Sequence, residues 1–472
     1  MDIELFKKEA HALVEWIADY YREIEKYPVK SQVKPKEIFN QLPVSPPQKS
    51  EAIPAIMEDF QKIIMPGITH WQSPNFFAYF PANSSYPSVL AEMLTAALGA
   101  QCMIWETSPA AAELEEKVMN WLKQMMGLPE SWYGVIQDTA SSATLCAILS
   151  AREKATNYET NNNGFSQNNF RVYGSTQTHS SIDKAVKIAG IGKNNLIKVA
   201  VDENLALDPD ALEKAIKTDL LNGKKPLCVI ATIGTTGTTA IDPIKEIAAV
   251  CKKYDIWLHV DAAFAGTALI LPEMHYMADG LDMVDSYVFN PHKWMFTNFD
   301  CSAYYVKDKE TLIRTFEIMP EYLKTAVDSQ VNNYRDWGIA LGRRFRALKL
   351  WFVIRSFGVD GIRERIRNHI KMAQELVKKM KEHGSFEILA PVPLNVICFR
   401  FKPKNMSDEN ELNKLNENLL KQLNAGGKIY MTHTKIDGKY TIRMVIGQTY
   451  VQQKHVDVAW ELIQETAKNL KK

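Results

Sequence analysis

The spacing of apolar positions changes along this chain, and each spacing predicts a different kind of element. Near the start, Ile3, Phe6, Ala10, Leu13, Ile17, Tyr21 and Ile24 recur at three- and four-residue steps between Asp2, a suitable N-cap, and Pro28, a helix stop. Such steps return to one face of a 3.6-residue turn, so they predict a single long amphipathic helix. Its apolar stripe needs a cover, supplied either by the core of the same chain or by a second subunit. A Pro-rich stretch around Pro43, Pro46 and Pro47 follows. A second helix is marked by Ser108-Pro109 at its start, by Leu114, Val118, Trp121, Leu122 and Met125 along one face, and by Gly127 and Pro129 at its end.

From residue 133 to about 306 the rhythm shortens. Apolar runs at Tyr133 to Ile136, Phe170 to Tyr173, Leu196 to Val201, Leu227 to Ile233, Ile256 to Val260 and Met283 to Phe289 alternate with helical stretches. That alternation predicts βαβ units and a mostly parallel sheet, an α/β class of fold. The polar stretch Asn157 to Asn169 reads as an exposed excursion between two units. The last part changes again: a helix on Ile362, Ile366, Ile370, Ala373, Val377 and Met380 ends at Gly384. Asn395 to Phe401, another helical stretch, Tyr440 to Ile446 and a final helix follow, which predicts a small α+β domain. The expected division is an N-terminal helical segment (1–83), a large domain (84–348) and a small C-terminal domain (349–472). Pro320 to Asp336 is polar, weakly periodic and longer than the ~12–15 residues at which structureless loops become unusual, so a mobile lid is expected there.

Composition narrows the class. With 472 residues the chain is large enough for two or three domains. Lys and Arg number 56 against 55 Asp and Glu, without a basic block, so nucleic acid is not an expected partner. Six cysteines (Cys102, Cys146, Cys228, Cys251, Cys301, Cys398) are scattered without CxxC spacing, mostly in apolar segments, which suits reduced core thiols. The opening MDIELFKKEA has no apolar signal core, and no run reaches the ~20 apolar residues of a membrane span. A cytoplasmic location without a membrane partner is expected.

Candidate chemistry lies just after the apolar runs, because ligands bind at the carboxyl ends of strands in open α/β sheets. Val288-Phe289-Asn290-Pro291-His292-Lys293-Trp294 ends one run with a basic cluster. A lysine at the rim of a core loses hydration, its pKa falls, and its amine can form a Schiff base; pyridoxal phosphate is the commonest aldehyde so captured. Taken alone, Lys293 reads first as an ordinary solvated loop lysine; its neighbours along the chain reverse that reading. Asp261 ends the run Ile256 to Val260, where a carboxylate is costly without a cation or donors; a pyridinium nitrogen would serve, and so would capping of the next turn. One crossover and one strand separate Asp261 from Lys293, so both reach the same rim.

Thr139-Ala140-Ser141-Ser142 opens a helix after the first run, a phosphate site or simply a cap. Gly234-Thr235-Thr236-Gly237 supplies further small groups, or merely a turn. His179, in Gln177-Thr178-His179-Ser180-Ser181, stands at a strand-to-helix junction from which its ring can stack on a cofactor. The chain has neither GxxxxGK[ST] nor a well-placed GxGxxG, which argues against P-loop and dinucleotide sites. No HExxH or paired His/Cys cluster supports a metal site.

Together these segments resemble the pyridoxal-phosphate-dependent aromatic-L-amino-acid decarboxylases, within the wider group II amino acid decarboxylases. The likeness covers nearly the whole chain. It rests on His70-Trp71-Gln72-Ser73-Pro74, Phe76-Phe77-Ala78-Tyr79-Phe80-Pro81, His179-Ser180-Ser181 and His259-Val260-Asp261-Ala262-Ala263. Asn290 to Trp294, Asn298-Phe299-Asp300-Cys301-Ser302, Tyr334-Arg335-Asp336-Trp337 and Leu341-Gly342-Arg343-Arg344-Phe345-Arg346 complete it.

The resemblance implies pyridoxal-phosphate fold type I, with pyridoxal 5'-phosphate as the cofactor. By it, Lys293 bears the cofactor, Asp261 pairs with its ring nitrogen and His179 stacks on its ring. Thr139, Ala140, Ser141 and Asn290 hold the phosphate with His292 close by, and Thr236 and Ala263 line the cofactor. Trp71, Tyr79, Phe80 and Pro81 shape the substrate pocket, with Gln101 and Met103 reaching in from a second subunit of a homodimer whose N-terminal helices wrap around each other. Tyr322, on the expected lid, corresponds to the proton donor; Phe there would suggest the related aldehyde synthases.

The implied reaction is decarboxylation of an aromatic L-amino acid to an arylalkylamine and CO2. Two departures touch the substrate side: Met103-Ile104 replaces an aromatic residue followed by Ser, and the lid is about two residues shorter than in animal members. Gly342 matches the small residue of plant relatives that accept indoles, which favours tryptophan or a mixed aromatic specificity. An aromatic acetaldehyde synthase, an aminotransferase and a non-catalytic scaffold dimer are the competing readings.

Overall fold

The computed structural model describes residues 1–165, 169–318 and 330–470. The chain forms two compact units, one of Met1–Pro81, Met372–Leu389 and Ile397–Lys472, the other of Ala82–Lys371 with Ala390–Val396.

The larger unit is built on a seven-stranded sheet. Its strands are β1 (Tyr133–Gln137), β2 (Phe170–Ser175), β3 (Leu196–Val199), β4 (Lys225–Thr232), β5 (Trp257–Asp261), β6 (Ser286–Phe289) and β7 (Ser302–Val306), in the order β1-β7-β6-β5-β4-β2-β3. β3, β2, β4, β5 and β6 pair in parallel, whereas β7 runs antiparallel to both β6 and β1. The mostly parallel α/β sheet expected from the alternation is present. β7 is the strand that periodicity did not separate from its surroundings. Every residue of Ser-Ala-Tyr-Tyr-Val is buried, as in β5 and β6, but β7 returns antiparallel to β6 without the long helical stretch that sets the parallel runs apart.

The helix Ala140–Ala155 lies across this sheet. Leu145, Ile148 and Ala151 pack with Val172, Leu227, Cys228, Ile230 and Trp257, while Ala143, Cys146 and Ala147 pack with Val288, Tyr304 and Val306. Because it is covered on most of its circumference, it carries small residues rather than a stripe. The helix predicted after Ser108 spans Pro109–Met126, with Gly127 in the left-handed conformation at φ 63°. Its buried positions are Ala111, Ala112, Glu115, Val118, Met119, Leu122 and Met126, so Leu114, Trp121 and Met125 of the expected face are only partly covered. The difference arises because Glu115 is buried as an ion pair with Arg343 (2.6 Å), which an apolar count cannot register.

In the other unit the first helix spans Ile3–Glu23, and Asp2 accepts the Leu5 N–H at 2.8 Å as its N-cap. None of its residues is buried. A four-stranded sheet of β8 (Phe386–Ile388), β9 (Val396–Phe401), β10 (Thr432–Ile436) and β11 (Lys439–Val445) is ordered β10-β11-β9-β8. Helices Glu409–Ala425 and Gln453–Asn469 belong to the same unit. The helical stretch Arg346–His383, which belongs to the larger unit as far as Lys371, is two helices meeting at Gly358, where φ is 66°. Of the expected lid, residues 320–329 lie outside the described residues; Tyr334–Asp336 forms a short turn whose side chains are buried, not a loose loop. Among the described residues, no helix is long and apolar enough to cross a membrane and no cluster of three or more His, Cys, Asp or Glu is poised for a metal ion.

Candidate active site

β4, β5 and β6 end side by side, with Thr232 opposite Asp261 and Asp261 opposite Val288. Hydrogen bonds carry the pairing past the strand ends: Ala262 N–H donates to Val288 O (2.8 Å) and Asn290 N–H to Ala263 O (3.0 Å). Asp261, Ala263 and Asn290 are thereby fixed on one rim. Asp261 is buried at 6% exposure, and its Oδ1 accepts the Ala263 N–H at 3.0 Å. A carboxylate at that depth suits a cationic ring nitrogen.

Lys293 lies in the one-turn helix Pro291–Trp294, half-buried between fully buried neighbours. Trp294 stacks on Phe264 at 4.8 Å and donates its Nε1–H to His369 Nδ1 at 2.9 Å, which anchors the turn on one side. His179 follows β2. Its Nδ1 accepts the Ser181 N–H at 3.1 Å, so the neutral ring carries its proton on Nε2. Burial lowers the His179 pKa, the Asp261 carboxylate opposes that fall and the Lys293 ammonium adds to it. Both charges thus act on this one imidazole. The residue keeps exposed surface on which a flat ring can stack.

Thr139 caps the helix Ala140–Ala155, its Oγ1 accepting the Ser142 N–H at 3.4 Å, and Ser141 is exposed in the first turn. Ser302 links this end to Asn290, because its Oγ lies 3.2 Å from Asp138 O and 2.6 Å from Asn290 Oδ1. His292 Nδ1 accepts the Cys301 N–H at 2.9 Å, and burial pulls its pKa down to about 3. The ring is neutral, with its donor at Nε2. The turn after β4 closes through Gly234 and Thr235 N–H to Ala240 O (2.9 and 3.0 Å) and leaves Thr236 exposed. Gly234 has φ 85°, and a Cβ there would stand 2.4 Å from Ala265 Cβ, so only glycine fits.

Two further groups hold the remaining predicted residues. In the smaller unit Trp71 packs on Phe76 (4.5 Å) and Tyr79 (5.6 Å), Tyr79 Oη meets Tyr430 Oη at 3.1 Å, and the Arg443 guanidinium lies 4.7 Å over the Phe80 ring. Arg443 Nη1 also donates to Tyr79 O at 2.8 Å, and burial pulls its pKa down to about 10. Pro81 is buried at the end of this wall. In the larger unit Gln101 Oε1 accepts the Arg343 N–H at 2.7 Å, Cys102 N–H donates to Arg343 O at 3.0 Å, and Met103 O accepts the Arg335 N–H at 2.8 Å. A Cβ on Gly342 would come 3.3 Å from Gln101 Nε2, so Gln101, Met103 and Gly342 sit in one cluster. Tyr322 lies outside the described residues.

Ser302, Arg443 and Tyr430 had no assigned role in the sequence reading. Ser302 was visible only as the last residue of a segment that carries the family resemblance, and Arg443 only as a charge inside the run Tyr440 to Ile446. The set at the rim fits pyridoxal phosphate by its chemistry: an amine for the aldehyde, a buried carboxylate for the ring nitrogen, an imidazole face for the ring, and a helix start with hydroxyls for the phosphate.

Comparison with known proteins gives one consistent result. The Pyridoxal-dependent decarboxylase conserved domain matches residues 35–402. Tyrosine decarboxylase of Papaver somniferum is 43% identical over 488 residues, covering 98% of this chain and 95% of the relative. Phenylacetaldehyde synthase of a Rosa hybrid cultivar is also 43% identical, covering 99% and 94%. The crystal structure of Oryza sativa TDC with PLP and tryptamine superposes with a TM-score of 0.97 at 35% identity, covering 100% of this chain and 99% of that one.

Proposed function

Since this chain belongs to the pyridoxal-dependent decarboxylase family, in its aromatic-amino-acid branch, with pyridoxal 5'-phosphate as cofactor and fold type I, we propose that it converts aromatic L-amino acids to arylalkylamines and CO2. The observation that carries this reading is the placement of Asp261 at the end of β5 and of Lys293 in the turn that follows the adjoining parallel strand β6. When bound, the cofactor supplies an electron sink for the bond broken at the substrate's Cα.

The chain's own groups do the rest. Lys293 would hold the cofactor by its aldehyde carbon, Asp261 would keep its ring nitrogen protonated, and His179 would offer its imidazole to the ring. Thr139, Ala140, Ser141, Asn290 and the neutral His292 hold the phosphate, and Thr236 and Ala263 line the cofactor. Trp71, Tyr79, Phe80 and Pro81 form the apolar wall that selects an aromatic side chain and withdraws solvation from its carboxylate. Tyr322 delivers a proton to Cα after CO2 leaves, which favours amine over aldehyde.

Gly342, with no side chain beside Gln101, leaves room for an indole, and tryptophan or a mixed aromatic specificity is the preferred substrate reading. The active form is a homodimer with shared sites. The cavity where Phe6, Ala10, Leu13 and Trp16 face Ile53, Pro54 and Met57 supports this, because it leaves an apolar groove for a partner helix. Gln101, Met103 and Gly342, being one cluster, enter the partner's site together. The composition favours the cytoplasm.

Replacing Lys293 by Ala tests the assignment. Turnover and the bound cofactor's visible absorbance are expected to vanish while the circular dichroism spectrum is unchanged; retained turnover would remove Lys293 from the chemistry.

A further inference from the structure

A helix of four residues has little following turn to use its carbonyls: Pro291 O accepts the Met295 and Thr297 N–H, but those of His292 and Lys293 take donors from elsewhere. Asn83 supplies two. Its backbone N–H donates to His292 O at 2.9 Å, and its side-chain Nδ2 donates to Lys293 O. A carbonyl only accepts, so the amide must present its nitrogen here, and its orientation is fixed by chemistry. Asn83 is 1% exposed, which makes both bonds dry and leaves no water to replace them. A few residues on, Ser88 continues the clamp: its Oγ accepts the Asn298 N–H at 2.7 Å and donates to Asn298 Oδ1.

From this geometry we infer that Asn83 is a positioning residue for Lys293. It caps, from a distant part of the chain, the one-turn helix that carries the lysine, and so fixes the direction from which the Nζ amine meets the cofactor's aldehyde carbon. Asn83 touches neither substrate nor cofactor in this role; it acts through the Lys293 backbone. The inference rests on Lys293 as the cofactor-bearing residue. Asn83 follows the aromatic wall in sequence, with Pro81 two positions before it, so the stretch that selects the substrate runs directly into the cap on the reactive lysine.

The test uses the pyridoxal-phosphate-loaded enzyme and the variants Asn83→Ala and Asn83→Ser. Both lose the Nδ2 donor, the serine hydroxyl being one atom too short to reach Lys293 O, and the serine variant serves if alanine prevents folding. Visible absorbance is titrated against pH without substrate, and kcat and KM are measured with an aromatic amino acid. The expected result is a displaced titration midpoint and a kcat lowered about 10- to 100-fold with KM little changed, since misplacement by about 1 Å can cost that much. A variant that folds with a lower thermal midpoint but with the wild-type titration and kcat would overturn the inference, leaving Asn83 a purely structural residue. Absence of the absorbance in the wild-type enzyme would instead sink the Lys293 assignment.

Discussion

At the scale of single residues, the groups read directly from sequence are those whose position relative to a strand end defines their use. Lys293 and Asp261 each follow a buried run, and the fold places such positions on one rim. Tyr322 is known by its place in the chain alone, and its role is open to a sharp test. With Phe at 322, amine formation is expected to fall about 10²- to 10⁴-fold, the usual contribution of a positioned proton donor, with aldehyde and peroxide appearing in the presence of oxygen. Amine output at the wild-type rate would assign the proton to another group. Asn83 and Ser302 were not legible in the same way. Their value lies in single hydrogen bonds to Lys293 O, Asp138 O and Asn290 Oδ1, made across long stretches of chain, and a small polar residue looks alike whether or not such a bond exists.

At the scale of elements, periodicity located helices and parallel strands well and missed β7, β8 and β10, all paired antiparallel. β7 is buried throughout and β10 alternates weakly, with exposed positions at His433 and Lys435. The central helix Ala140–Ala155 is tied to the sheet by a buried histidine: His259 on β5 meets Thr144 Oγ1 at 3.1 Å and Ser286 Oγ at 2.9 Å. Burial pulls the pKa of His259, and equally of His292 and His369, down to about 3. The unfolded chain takes up protons on these rings near the ordinary value of about 6.5, whereas the folded protein does not. Their contribution to stability is therefore fully present above about pH 6.5 and is lost as the pH falls towards 3. Asp242, raised to about 7 by burial, and Asp285, raised in the same direction, act oppositely, being stabilising on acidification. Burial lowers the pKa of His70, His179 and His455 as well, and six imidazoles against two carboxyls predict a thermal midpoint that falls between pH 7 and pH 5. A flat or rising midpoint over that range would mean that these rings are hydrated and charged in the folded state.

At the scale of the whole molecule, the amphipathic first helix was legible from its spacing, whereas its cover was not, because an apolar stripe does not state what it meets. Phe6 and Leu13 remain 56% and 43% exposed in the single chain. If a second subunit covers them, Leu13→Glu should raise the dimer dissociation constant about 10- to 100-fold, the equivalent of losing ~1.5–3 kcal/mol of burial, as read by sedimentation against concentration. An unchanged association would place the interface elsewhere. Product analysis tests the reaction itself. The purified, cofactor-loaded protein would be supplied with L-tryptophan, tyrosine, dopa, phenylalanine and glutamate, and CO2, amine, aldehyde, keto acid and peroxide would be recorded. Equal amounts of amine and CO2 from the aromatic substrates alone are the predicted result; aldehyde with peroxide, keto acid, or no product from any of them would contradict it.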